Sequence, residues 1–372
     1  MTAYPASMTA PDTRARRAAV AERLSAEGLD ALVATPGADM AYLLDHWAHP
    51  SERPQLLIIS RTGRSAIVLA GFEARALPAL DDDVAVLTYS ETTDPYDLAV
   101  SQTGLGTAGR IAVSDPMWSR ILLYLMERLP RATFTAASAL LAALRMRKDE
   151  AELARLREAA VRADSVWPIL FQSPLAGRTE SEVASGLRRL LEDAGLRQTS
   201  AIVAGGPNGA SPHHRPGERV IQSGEMVVLD YGGTFNGYWA DITRTVAVGK
   251  PSAEMALVHE TVSRAQQAGY EAVAAGRSCE SVDGAARSVV QDAGFGDTFI
   301  HRTGHGIGLD GHEEPYIVAG NNMRLEPAMT FSVEPGIYLA GKFGVRIEDI
   351  VVVTAAGAER LNQLPRALQF VE

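Results

Sequence analysis

Apolar residues recur along this chain in two rhythms. Over 13–27 they fall at helical spacing and stop at Gly28, which predicts an amphipathic helix closed by a glycine. Short apolar runs follow at 31–34, 55–59, 66–70, 84–87 and 111–113. They are too short for helices, so they read as strands. Helical patterns at 72–80 and 117–129 lie between or after them. The alternation predicts an α/β domain over 13–140, with nothing resembling a phosphate loop. The charged stretch from Leu144 to Glu150 breaks the pattern and opens a long helix from 149 to about 171. The boundary between two domains, 1–147 and 148–372, is placed there.

Beyond the boundary the chain repeats itself. Ala176-Gly177-Arg178-Thr179 opens a segment that ends at Gly195, and Ala275-Gly276-Arg277-Ser278 opens one that ends at Gly294. The offset is 99 throughout, and 8 of 20 positions match without a gap. Ordinary composition would give about one or two matches. Each copy follows a helical pattern and precedes an acid-bearing pair of strands. Two halves of helix, helix and hairpin predict one pseudo-symmetric domain with its hairpins meeting at the centre.

Within those hairpins, polar residues interrupt apolar runs where a strand is least able to carry them. Asp230 closes Met226-Val-Val-Leu-Asp230, and Asp241 opens a second run. Glu334 ends Met329-Thr-Phe-Ser-Val-Glu334, and Glu348 sits between Ile347 and Asp349 in a third. Asn236-Gly237 is a strong hairpin signal between the two aspartates. A turn centred on 235–236 would set Asp230 opposite Asp241; one centred on 236–237 would set Asp230 opposite Thr243, with Asp241 diagonal. Side chains alternate with period two, so either register keeps both aspartates on one sheet face. A turn near Gly341 likewise sets Glu334 opposite Glu348.

Buried carboxylates are costly unless they are paired or bind metal. Four of them with His305, in Gly304-His305-Gly306-Ile307-Gly308, form a ligand set for two divalent ions. Oxygen-rich donors with one imidazole suit Mn²⁺ or Co²⁺ best, with Zn²⁺ and Fe²⁺ also compatible. Such a pair, roughly 3.5–4 Å apart, acidifies a bridging water into a nucleophilic hydroxide. The glycines beside His305 allow close approach of neighbouring backbone.

Composition narrows the rest. At 372 residues with 46% hydrophobic content, two ordinary globular cores are expected. A net charge of −10 argues against a nucleic-acid partner. The single cysteine, Cys279, allows no internal disulfide, reads as a small residue at a helix start, and fits the cytoplasm. Residues 1–12 read as a loose polar tail without a signal-peptide core, and no apolar run is long enough for a membrane span.

The motifs Leu229-Asp230-Tyr231-Gly232, Asp241-Ile242-Thr243-Arg244-Thr245, Gly304 to Leu309, Val333-Glu334-Pro335-Gly336 and Val345-Arg346-Ile347-Glu348-Asp349 resemble those of the pita-bread metallopeptidases, the family of Xaa-Pro aminopeptidase, prolidase and methionine aminopeptidase. The likeness spans about 148–360, and 13–140 is similar to the creatinase-type N-terminal domain. It implies an α/β N-terminal domain plus an α+β, pseudo-two-fold pita-bread catalytic domain. It implies dinuclear hydrolysis of amino-terminal Xaa-Pro bonds in proline-containing peptides, by a homodimer. The metal ligands would be Asp230, Asp241, His305, Glu334 and Glu348, with Glu334 also the general base. His213 and His312 would face the scissile peptide, while His301 and Arg346 would line the substrate pocket. His214 has no role in the family pattern and reads as a surface residue.

Tyr316 departs from the pattern of some prolidases, which place an arginine there to hold a dipeptide carboxylate. The departure predicts an aminopeptidase or a relaxed dipeptidase, with Tyr316 as the substrate-binding residue to watch and Arg324 the next arginine along. Trp47, His49 and Arg53, in the unusual loop 45–54, would reach a partner's site if the family's dimer holds; an ordinary surface loop is the plainer reading. Two other functions fit the same residues: a hydrolase or lyase of a small non-peptide amide, and an inactive binding protein.

Overall fold

The computed structural model describes residues 10–372, so most of the expected 1–12 tail lies outside the described residues. The chain divides between Arg145 and Met146 into two compact units.

The first unit is built on six strands: β1 (Ala31–Ala34), β2 (Leu56–Ser60), β3 (Ser65–Ala70), β4 (Val84–Tyr89), β5 (Arg110–Val113) and β6 (Thr133–Ala136). Their order is β4-β3-β2-β1-β5-β6. Only the β1–β2 and β2–β3 pairs are antiparallel. β1 and β3 are buried throughout, as their unbroken apolar runs require of central strands. The edge strands β4 and β6 are largely open. The opening helix, Thr13–Ala26, ends as expected, with Gly28 at φ 67°.

Two expected helices come out shorter. Over 72–80 only a single turn forms, Glu73–Ala76, because Leu77 precedes Pro78 and is held extended. The long helix spans Glu150–Ser165 and resumes as Trp167–Leu170; Pro168 has no N–H to continue the ladder. Loop 45–54 begins at Asp45, which is left-handed (φ 52°); its Trp47 is exposed, and its Arg53 pairs with Glu52 and Glu91.

The second unit shows the physical content of the repeat. Helix Glu180–Asp193 and helix Cys279–Asp292 have the same length and the same 99-residue offset as their sequences. Each is preceded by a left-handed glycine (Gly177 and Gly276, both φ 83°) and followed by another (Gly195, φ 88°; Gly294, φ 83°). The matching letters are mostly turn glycines and helix ends, which is why they stand out in an otherwise divergent pair. Cys279 is the first residue of its helix and buried, and burial pushes its thiol up to about 11.

After the first helix pair come β7 (Arg197–Gly205), β8 (Met226–Phe235) and β9 (Tyr238–Val248). After the second come β10 (Gly304–Gly306), β11 (Glu313–Ile317), β12 (Thr330–Val333), β13 (Gly336–Leu339), β14 (Phe343–Arg346), β15 (Asp349–Thr354) and β16 (Gly357–Arg360); β17 (Phe370–Val371) returns beside β9. Thr243 and Glu348 form a bridge between the two sets of strands. Helices and strands close over two apolar clusters, one around Phe331 and Val351, the other around Val262 and Val345.

Candidate metal centre

The β8–β9 turn is Asn236-Gly237, with φ 47° and 82°, the conformation that a two-residue hairpin loop favours. Asp230 therefore pairs with Thr243, and Asp241 with Gly232, so both aspartates lie on one face. The glutamates follow the same logic across an interruption. β12 pairs with β15 from Thr330–Val352 to Val333–Asp349, and β13 with β14 from Gly336–Arg346 to Leu339–Phe343. One register runs through both ladders, and Glu334 and Glu348 fall opposite each other in the gap between them. His305 is carried by β10, where a Cβ on Gly304 would lie 1.8 Å from the Ser332 carbonyl oxygen. Only glycine permits that approach.

These elements bring the five residues together. Ligand atoms of Asp230, Asp241 and Glu348 lie within 4.8 Å of one another, as do those of His305, Glu334 and Glu348. The donor set fits a cation on two further observations. Glu348 accepts from the Thr243 hydroxyl at 2.7 Å through Oε2, while its Oε1 is buried with no partner. His305 Nδ1–H donates to the Gly306 carbonyl at 3.1 Å, which leaves the Nε2 lone pair 3.3 Å from Glu334 Oε1. Two acceptors facing each other need a cation between them. Without that charge the acids suffer: burial, then Asp230 and Glu334, pushes Asp241 well above the carboxylate range. Burial, then Asp241 and Glu334, does the same to Glu348. Burial lowers His305 to about 4, which keeps it neutral as a ligand must be.

The cavity over this centre has a volume of about 610 Å³, and His213, His301, His312 and Arg346 line it. The ring of His312 lies 3.8 Å from that of His305, and burial lowers it to about 4. Arg346 is fully engaged: it bonds Asp230, the Tyr338 hydroxyl at 2.9 Å and the Thr243 hydroxyl at 3.2 Å. His301 Nε2 reaches the same Tyr338 hydroxyl at 2.8 Å. Tyr316 is not in the cavity wall; its ring lies under the guanidinium of Arg302, which is. His214, expected at the surface, is half-buried. It bonds the fully buried Glu180 at 2.7 Å, and that carboxylate also gathers the backbone N–H groups of Gly205 and Gly217.

Sequence reasoning missed several residues here. Thr243 and Ser332 each lie two positions from a ligand on the same strand face, and Ser332 donates to Glu334 at 3.0 Å; the parity argument would have found both. Tyr338 gave no signal, because an aromatic residue in a strand reads as packing.

Fold and site together define a divalent-metal hydrolase with a pita-bread catalytic domain. The chain belongs to metallopeptidase family M24, whose model matches residues 154–355; the creatinase/prolidase N-terminal domain matches 16–147. It is 41% identical to the probable dipeptidase PepE of Mycobacterium tuberculosis over 363 residues, 96% of each chain. It is 33% identical to the Xaa-Pro dipeptidase of Lactobacillus helveticus over 89% of this chain and 92% of that one. The crystal structure of a prolidase from Thermococcus sibiricus superposes with a TM-score of 0.92 at 33% identity, covering 98% of this chain and all of that one. The family implies divalent metal ions at this site. No helix among the described residues is long and apolar enough to cross a membrane.

Proposed function

We propose that this enzyme hydrolyses the peptide bond between an amino-terminal residue and proline. The carrying observation is the convergence of four carboxylates from two hairpins, with His305 from β10, in the lining of one cavity. The names of the Lactobacillus and Thermococcus relatives support proline peptides as substrates. Two divalent ions, Mn²⁺ or Co²⁺ first, would be held by Asp230, Asp241, His305, Glu334 and Glu348, supplying Lewis acidity and an acidified water as nucleophile.

The chain's own residues do the rest. Glu334 takes the proton of the attacking water and delivers it to the proline nitrogen as the C–N bond breaks. His213 and His312 donate hydrogen bonds to the oxyanion of the tetrahedral species. Both are at the cavity, and the neutral state of His312 leaves it an N–H to give. Arg346, fixed by Tyr338 and Thr243, holds Asp230 in place. An Xaa-Pro bond has no N–H, so a site shaped for it has no need of an acceptor at that point. We also propose a cytoplasmic homodimer; a single, buried, free cysteine supports the reducing compartment.

The test compares Ala-Pro with Ala-Ala on the Mn²⁺-loaded protein. The expected result is a kcat/KM at least about 100-fold higher for Ala-Pro, worth about 2.7 kcal/mol of transition-state discrimination. Equal turnover of the two would sink the proline reading.

A further inference from the structure

His213 stands at the cavity with little of its own to hold it. It is exposed, and its ring makes no hydrogen bond among the described residues. The other substrate histidine is better fixed, because the ring of His312 lies 3.8 Å from that of His305. The place of the His213 imidazole therefore depends on the backbone beneath it. A donor to an oxyanion has to be in position before the charge develops, and a misplacement of about 1 Å can cost about 100-fold.

That backbone is the segment from Gly205, the last residue of β7, to Gly217. One carboxylate gathers it. Glu180, the first residue of the helix Glu180–Asp193, is fully buried. Its Oε1 accepts from the Gly205 N–H at 2.9 Å and from the Asn208 amide at 3.0 Å. Its Oε2 accepts from His214 Nε2–H at 2.7 Å and from the Gly217 N–H at 3.3 Å. Both ends of the segment and two points within it thus meet at a single group. A buried carboxylate satisfied in this way is a rigid anchor. The other side of the segment is closed as well. A Cβ on Gly344 of β14 would lie 1.9 Å from the Gly209 carbonyl oxygen, and Arg346 donates to the Pro212 carbonyl at 3.5 Å. Past Pro212, the first contact with Glu180 is through His214, the residue next to His213. The two histidines face apart: His214 is tied to Glu180, and His213 is left exposed at the cavity.

We propose that the Glu180–His214 pair is a positioning device for His213, holding its imidazole where the oxyanion forms. The proposal rests on the reading of His213 as an oxyanion donor. It adds two positioning residues that do not line the cavity, while His213 is the catalytic one.

The experiment measures kcat and KM for Ala-Pro on Mn²⁺-loaded wild type, H213A, H214L, H214N, H214Q and the double variants H213A/H214L and H213A/H214N. H213A is expected to lower kcat by about 100-fold or more, the value of one oxyanion donor. H214L lowers kcat by about 10–100-fold and leaves KM within about threefold, because donor placement changes and the metal centre does not. H214Q stays within about threefold of wild type, since a glutamine amide reaches as far as Nε2 and donates to the same carboxylate. H214N stops short of Glu180 and behaves as H214L. In the H213A background, either change at His214 alters kcat less than about twofold, because nothing is left to position. A merely structural role predicts the same loss in both backgrounds. That result, or a wild-type kcat in the His214 variants, overturns the proposal. Mn²⁺ uptake equal to wild type shows each variant to be folded, and if H214L takes up none, the H214N pair carries the comparison. A wild-type kcat in H213A overturns the oxyanion role of His213 instead.

Discussion

Glu348 shows how much of this site is unfavourable without its ions. It is 2% exposed, one of its oxygens has no partner, and three other acids share its surroundings. Its folded pKa is raised above the unfolded one, so its stabilising contribution is complete below the unfolded value of about 4.5 and is lost as pH rises through the folded value. Metal-stripped protein at pH 8 therefore carries a penalty that Glu348→Gln relieves. The expected outcome is a higher melting temperature than wild type in chelator, and a smaller rise than wild type on adding Mn²⁺, read by thermal denaturation. A Glu348→Gln protein less stable than wild type in chelator would contradict the electrostatic account. At this scale the sequence was informative because an acid inside Val345 to Val353 has few physical excuses. It was silent on Tyr338, whose importance comes only from what it touches.

At the scale of elements, two hairpins are pinned beside the site by a buried charge cluster. Arg244, three residues after Asp241, donates to Asp349 at 2.6 Å and to the Glu348 carbonyl at 2.6 Å. Arg360 and Arg366 reach the same carboxylate at 3.3 Å. Removing one side of a buried ion pair costs about 3–5 kcal/mol. Asp349→Ala is expected to lose stability of that order in urea unfolding; a loss below about 1 kcal/mol would show the cluster to be incidental. His259, on the helix Ala253–Glu271, gives a separate pH signature. Burial lowers it from 6.5 to about 4 against a backbone hydrogen bond with Thr245. A depressed pKa contributes stability above the unfolded value that is lost as pH falls through the folded one. Unfolding free energy should therefore fall between pH 6.5 and 4, by up to about 3 kcal/mol, and His259→Gln should flatten that slope. The hairpins themselves were legible in advance, since period-two parity survives either register and Asn236-Gly237 names the turn. The interruption between β12 and β13 was not, because nothing local in Glu334-Pro335 says that pairing will pause and resume in the same register. The helix expected over 72–80 failed for a readable reason, Pro78.

For the whole molecule, the 99-residue repeat and the convergence of acids are one fact seen twice. Each half contributes a helix pair and a strand pair, each strand pair contributes two carboxylates, and neither half alone holds a complete ligand set. That division was visible in the sequence because turn glycines and caps recur at fixed offset. The central claim, that this assembled centre is a two-ion hydrolytic site for proline peptides, is tested most directly by titrating metal-stripped protein with Mn²⁺ while following Ala-Pro turnover. The account predicts no turnover in chelator and a rise that saturates near two equivalents per chain. Full turnover in chelator, or none at any Mn²⁺ or Co²⁺ concentration, would contradict it.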